Sequence, residues 1–201
     1  GSVAKGGACN YQKITLTPHG NGTHTESYGH ISADPAADLQ SCLSKFLFFA
    51  QLISVTPQPL PNGDKIITWD MIAPRLNDPN PEAIILRTLP NPATKKSQKY
   101  SGTNPPYLSV EIGTFLADRD IKHLVVDLPS VDREQDEGLL KMHKNFWRFP
   151  KDIRQDCTIT ELVFIDNTIL DGYFLLNLQI GSFVADASPS KPILYPLVQK
   201  H

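Results

Sequence analysis

Apolar residues fall in short blocks along this chain, and the blocks follow two different spacings. Phe46 to Val55 is a nearly unbroken apolar run, the pattern of a strand buried on both faces. Ala83 to Thr88 reads the same way, and Leu124-Val125-Val126 predicts a central strand that delivers Asp127 at its carboxyl end. Tyr11 to Thr17 predicts a strand with Ile14 and Leu16 on one face, ended by Pro18. Lys65 to Trp69 predicts a short strand after the turn Pro61-Asn62-Gly63-Asp64, with Asp70 as N-cap of one short helix. Further strands are predicted over Thr158 to Ile165, Gly172 to Phe183 and Ile193 to Val198. Between Tyr107 and Asp118, Leu108, Ile112, Phe115 and Leu116 recur at helical spacing. Glu137 to Trp147 predicts a second helix, with Leu139, Leu140, His143 and Phe146 or Trp147 on adjoining faces. Strands interleaved with at least two helices predict an α/β or α+β fold. No repeat, low-complexity tract or linker divides residues 1–201, so one domain is expected.

Composition narrows the partners more than the fold. A hydrophobic fraction of 40% and a charged fraction of 20% suit a globular chain with a self-sufficient core. Net charge is −2, and the densest basic run, Lys95-Lys96-Ser97-Gln98-Lys99, reads as a solvated loop, so no nucleic-acid partner is expected. No stretch approaches the roughly 20 apolar residues that span a bilayer, so no membrane partner is expected either. The first thirty residues lack a secretory pattern. Cys9, Cys42 and Cys157 are odd in number and widely spaced, which suits free thiols in a reducing compartment and a cytoplasmic location.

The chemistry concentrates in His19-Gly20-Asn21-Gly22-Thr23-His24-Thr25-Glu26-Ser27-Tyr28-Gly29-His30. Three imidazoles and a carboxylate lie within twelve residues. His24 and Glu26 are two apart, so an extended backbone points both side chains the same way. Imidazole with carboxylate suits zinc, manganese or iron(II); the competing reading is a surface loop that gathers His and Gly by chance. Asp127 at a strand end is either functional or a cap of the following turn. His143 taken alone is equally well a helix-face histidine satisfied by a hydrogen bond. His123, without a carboxylate companion in sequence, reads as structural, and Trp69, Phe146 and Trp147 read as core. Ser130 and Ser188 lack a nucleophile elbow, which argues against a serine hydrolase.

The segment Gly22-Thr23-His24-x-Glu26-x-Tyr28-x-His30 resembles the His-x-Gly-Thr-His-x-Asp-x-Pro-x-His motif of the metal-dependent cyclase and kynurenine-formamidase-like hydrolases. Downstream, Asp127-Leu128-Pro129-Ser130-Val131-Asp132 resembles the family's strand-end element, and Asp186-Ala187-Ser188-Pro189 its Ser-Pro signature. The resemblance implies the family's swivelling β/β/α fold, a mixed sheet with a few flanking helices, and an opening segment that is absent here. It implies one or two divalent ions, zinc or manganese, with His19, His24, Glu26, His143 and Glu161 as metal residues and His30 as the proton carrier. The implied activity is hydrolysis of a C–N bond in an aryl formamide, cyclic amide or similar small acyl compound by a metal-activated water. The implied assembly is a homodimer or homotetramer.

Three departures from the family pattern stand out. Gly20 occupies the position of the family's first histidine, and the nearest imidazole, His19, is one residue early; Glu26 replaces Asp and Tyr28 replaces Pro. The departures at Gly20 and Glu26 keep open a catalytically silent binding or assembly module of the same fold, and a metal-dependent lyase stays open beside it.

Overall fold

The computed structural model describes residues 1–76 and 80–197. Its strands are β1 (His24–Glu26), β2 (Leu47–Val55), β3 (Gln58–Pro59), β4 (Lys65–Ile67), β5 (Ala83–Thr88), β6 (Tyr107–Leu108), β7 (His123–Val126), β8 (Thr158–Glu161), β9 (Gly172–Asn177), β10 (Ala187–Pro189) and β11 (Ile193–Pro196). Its α-helices are α1 (Pro18–Asn21), α2 (Leu39–Cys42), α3 (Trp69–Ile72), α4 (Val110–Asp118) and α5 (Lys141–Trp147). Eight strands form one mixed sheet in the order β10-β1-β8-β7-β5-β2-β9-β11, and β3, β4 and β6 form a small second sheet. The middle of the large sheet is parallel, β2 to β5 to β7 to β8, and both flanks are antiparallel.

The central strands are apolar on both sides because both sides are covered. Along β2, Ile53 and Val55 face one core while Phe48, Ala50 and Leu52 face another. The first core receives α4 through Ile112 and Leu116, and α5 through Met142, Phe146 and Trp147. The second is closed by Leu39 and Leu43, beside Phe174 and Leu176 from β9. Trp69, Phe146 and Trp147 are core residues. His123 is buried as well, its Nδ1 2.9 Å from Thr158 Oγ1 and its ring 3.9 Å from that of Phe48.

Several local expectations are corrected. Tyr11 to Thr17 forms no strand, and Tyr11, Ile14 and Leu16 are exposed. Alternation says which face a strand would bury, but a strand also needs a neighbour to bond, and the sheet's edges are β10 and β11. Trp69 opens a helix instead of ending a strand; Thr68 is the N-cap and Asp70 sits in the first turn. Tyr107-Leu108 is a short strand ahead of α4. The second helix begins at Lys141, not Glu137, because Glu137 and Leu140 take positive φ (59° and 46°). The Asp132 carboxylate accepts the backbone N–H of Met142 at 2.8 Å and of His143 at 3.2 Å, which fixes that start. Thr158 to Ile165 stops as a strand at Glu161, where Leu162 turns to φ 55°. Gly172 to Phe183 stops at Asn177, which is already opposite the first residue of β2, Leu47. The last strand ends at Pro196, and Val198 lies outside the described residues. Among the described residues no helix is long and apolar enough to cross a membrane.

The contact between α4 and α5 depends on a missing side chain. A Cβ on Gly113 would stand 2.7 Å from the backbone nitrogen of Phe146 and 2.9 Å from the carbonyl oxygen of Met142. Backbone cannot rotate away as a side chain can, so Gly113→Ala forces the helices apart. We expect about 1–3 kcal/mol of destabilisation, read as a lower urea midpoint with unchanged m. An unchanged midpoint would contradict this packing.

Candidate metal centre

β1 places the site. Its antiparallel register against β8 sets His24 opposite Glu161 and Glu26 opposite Ile159. His24 and Glu26 therefore share the face that Glu161 occupies, while Thr25 turns away and bonds Thr160 and Ser190 through its hydroxyl. Ligand atoms of His24, Glu26 and Glu161 all lie within 4.8 Å of one another, and those of His19, Glu26 and His30 form a second such group. Glu26 belongs to both.

The donor atoms are poised for a cation. His24 is fully buried and its Nδ1–H donates to the Gly22 carbonyl at 2.9 Å, which leaves the Nε2 lone pair free. Nε2 has no hydrogen-bond partner and stands 3.5 Å from Glu161 Oε2. Burial lowers the His24 pKa, so the ring is neutral and available as a ligand. Glu26 Oε2 is likewise buried and without a well-aimed hydrogen bond, although His19 Nδ1 approaches to 3.0 Å. Two orphaned, buried ligand atoms facing a second carboxylate are what a divalent ion satisfies, so these residues fit such an ion.

Glu161 and His143 complete the set differently. Glu161 Oε1 accepts the Val131 N–H at 2.9 Å, leaving Oε2 toward His24. Burial and the nearby Glu26 charge push its pKa up to about 8. His143 lies on α5 with Nε2 3.0 Å from Glu26 Oε1 and Nδ1 2.6 Å from Asp132 Oδ2. Burial disfavours its charge, but the bonds to Asp132 and Glu26 outweigh it and raise the pKa to about 10. Both nitrogens thus donate to carboxylates in this geometry, and His143 supports Glu26 as a cation. Burial likewise opposes the Glu26 charge, yet its contacts with His143 and His19 hold the pKa well below the usual carboxylate range.

The rim holds His19 and His30. His19 sits on α1; burial opposes its charge, but Glu26 and Asp186 raise its pKa to about 9. His30 lies within a short turn over Tyr28–Ile31, with Nδ1 3.8 Å from Glu26 Oε2 and 3.6 Å from Asp186 Oδ2. Burial lowers its pKa, so it is neutral near neutrality. A Cβ on Gly29 would meet the Ala37 carbonyl oxygen at 2.0 Å, so this turn tolerates only glycine beside His30.

The other five sequence-predicted site residues gather around Glu26. Two carboxylates join them that sequence reasoning assigned no role: Asp132 behind His143, and Asp186 behind His19. Both stand in the quoted motifs, but only tertiary contact shows what they touch. Asp127 lies apart, accepting from Thr88 N at 2.9 Å, Thr88 Oγ1 at 3.1 Å and Lys95 Nζ at 2.8 Å, so it ties two strand ends together. Ser130 accepts from the Asp132 N–H, and Ser188 bonds locally.

A mixed sheet with a buried His and carboxylate cluster beside its parallel centre defines an α/β fold with a candidate metal centre. The sequence profile of the Cyclase family matches residues 3–133, and the chain belongs to that family. Kynurenine formamidase of Bacillus cytotoxicus is 27% identical over 191 residues, spanning 95% of this chain and 82% of that protein. Its Bacillus cereus counterpart is 26% identical over 196 residues, 98% and 85% of the two chains. Among solved structures, one described as a predicted metal-dependent hydrolase from Bacillus stearothermophilus superposes with TM-score 0.68 at 18% identity, covering 94% of this chain and 82% of that one. Isatin hydrolase A from Labrenzia aggregata gives 0.65 at 13% identity, covering 92% and 76%. These structures share the fold.

The pKa shifts carry a sign for the metal-free protein. His143 (about 10 folded, 6.5 ordinarily) stabilises the fold fully below pH 6.5 and loses that contribution as pH rises through 10. Glu161, protonated in the fold up to about 8 against 4.5 ordinarily, loses its contribution over that interval, again as pH rises. The thermal midpoint of chelator-treated protein should therefore fall between pH 7 and pH 10. A level or rising midpoint there would show that His143 is not held as a cation.

Proposed function

We propose that this protein is a metal-dependent hydrolase that opens a C–N bond in an aryl formamide, cyclic amide or similar small acyl compound. The observation that carries the metal reading is the orphaned pair His24 Nε2 and Glu26 Oε2, buried against Glu161. A divalent ion held there, zinc foremost and manganese second, supplies a water acidic enough to ionise near neutrality and an electrophile for a carbonyl. His24, Glu26 and Glu161 would hold it, with His19 from the rim; His143 and Asp132 keep Glu26 in place. His30, neutral and a quarter exposed, is the residue that takes a proton and returns it to a leaving nitrogen. The kynurenine formamidase relatives support the C–N bond as target.

We also propose a homodimer or homotetramer, supported by exposed apolar residues such as Tyr11, Ile14 and Val184. Free Cys9, Cys42 and Cys157 support a reducing, cytoplasmic location.

Protein purified without added metal should carry about one or more ions per chain by elemental analysis and turn over N-formylkynurenine or isatin. Metal without turnover of either would sink the substrate class; absence of metal would sink the whole reading. His24→Ala should abolish metal retention in a soluble protein. His30→Asn should keep its metal while turnover falls roughly 10²–10⁴-fold, the usual worth of a positioned acid–base group. Loss of metal in that variant would make His30 a ligand, as its place beside His19 and Glu26 permits. Light scattering that reports a monomer at micromolar concentration would remove the oligomer.

A further inference from the structure

We infer that Asp186 is a positioning residue that makes His19 a metal ligand through Nδ1. The inference rests on the metal-centre reading above and adds the atom by which His19 takes part. His19 Nε2 lies 2.7 Å from Asp186 Oδ2, while Nδ1 of the same ring lies 3.0 Å from Glu26 Oε2. Both ring nitrogens face carboxylates in the metal-free protein; an ion taken up beside Glu26 would displace the Nδ1 proton, while Asp186, at the shorter distance, keeps the proton on Nε2. His24 does the reverse: the Gly22 carbonyl holds its Nδ1–H, and Nε2 faces the site. The two rings lie 5.1 Å apart and offer opposite nitrogens to the space beside Glu26. Nδ1 and Nε2 differ in distance and direction from Cα. Which of them is used therefore sets how far from its backbone a ring can reach an ion.

Asp186 is placed by the backbone around it. Its carbonyl oxygen accepts the Ser27 N–H at 2.9 Å and the Ser27 hydroxyl at 3.1 Å, and the preceding Ala185 carbonyl accepts the Leu39 N–H at 2.8 Å. The next residue, Ala187, is the register partner of Glu26. The carboxylate that holds His19 is thus anchored to the strand that carries His24 and Glu26. A simple rim ion pair between Asp186 and His19 would be worth little to stability and nothing to the choice of ring nitrogen, so the nitrogen is the property to measure.

The test uses zinc and full-length protein labelled with ¹⁵N at histidine. Long-range ¹H–¹⁵N spectra of the zinc-loaded protein should show His19 protonated at Nε2 with Nδ1 shifted by the ion; a proton on Nδ1 overturns the inference. Zinc affinity, measured by chelator competition, should fall about 10–100-fold in Asp186→Ala. It should fall much less in Asp186→Asn, whose amide oxygen still accepts the Nε2–H. In a His19→Ala background, Asp186→Ala should cost nothing further. An equal loss in both backgrounds would mean that Asp186 acts on the ion or the fold directly, and only this inference fails. Parent protein that takes up no zinc removes the metal-centre reading and this inference with it. Because the spectrum is recorded on the parent, poor folding of a variant does not shield the idea.

Discussion

Two carboxylates, Glu26 and Glu161, are buried with ligand atoms within 4.8 Å of each other, and the rest of the site answers to that constraint. Removing a carboxylate from water costs several kcal/mol unless positive charge and hydrogen bonds offset it, and a second carboxylate nearby raises the cost. The protein responds in two ways. It lets Glu161 hold a proton well above the ordinary carboxylate range, and it brings the His143 imidazolium against Glu26. Asp132 in turn stabilises His143 from behind, so the chain of charges runs from the α5 start into the sheet.

This arrangement follows from how short β1 is and where it lies. Three residues pair between β8 and β10, which buries both faces of a segment otherwise flanked by glycine-rich turns. Strand alternation then sends His24 and Glu26 to one face and Thr25 to the other, where hydroxyls of Thr160 and Ser190 satisfy it. The parallel centre β2-β5-β7-β8 is the rigid reference against which β1 is held. Its two apolar faces are covered by separate cores, so the site inherits its precision from a packed sheet centre of which only β8, through Glu161, supplies a candidate ligand.

Much of this was legible in the residue pattern. The apolar runs ending at Val55, Thr88 and Val126 became the central strands because continuous hydrophobicity reports burial on both faces. The twelve-residue cluster and its spacing pointed to one ion-binding face. Legibility ended where the deciding contact was distant or backbone-based. Tyr11 to Thr17 has a strand's alternation, but pairing depends on an open sheet edge that local sequence does not encode. The α5 boundary depends on a carboxylate ten residues from Met142, and the orientation of His19 on one 167 residues away. Asp132 and Asp186 were visible as letters of motifs; their partners were visible only in three dimensions.

Charge balance links the number of ions to the histidines. Four carboxylates, Glu26, Glu161, Asp132 and Asp186, surround the three rings His19, His30 and His143. In the metal-free protein the imidazolium forms of His19 and His143 offset two of those charges, and the proton on Glu161 removes a third. A divalent ion taken up beside His24 through Nδ1 of His19, as proposed, would replace the protons on His19 Nδ1 and Glu161 and leave His143 as the cation beside Glu26. Glu26 is the hinge between these states, since its Oε1 meets His143 and its Oε2 faces His19 and His30. Its two-methylene stem lets one side chain reach toward both groups. Ion number, ring protonation and the ligand role of His19 are therefore one coupled variable, and each additional ion must displace protons to enter.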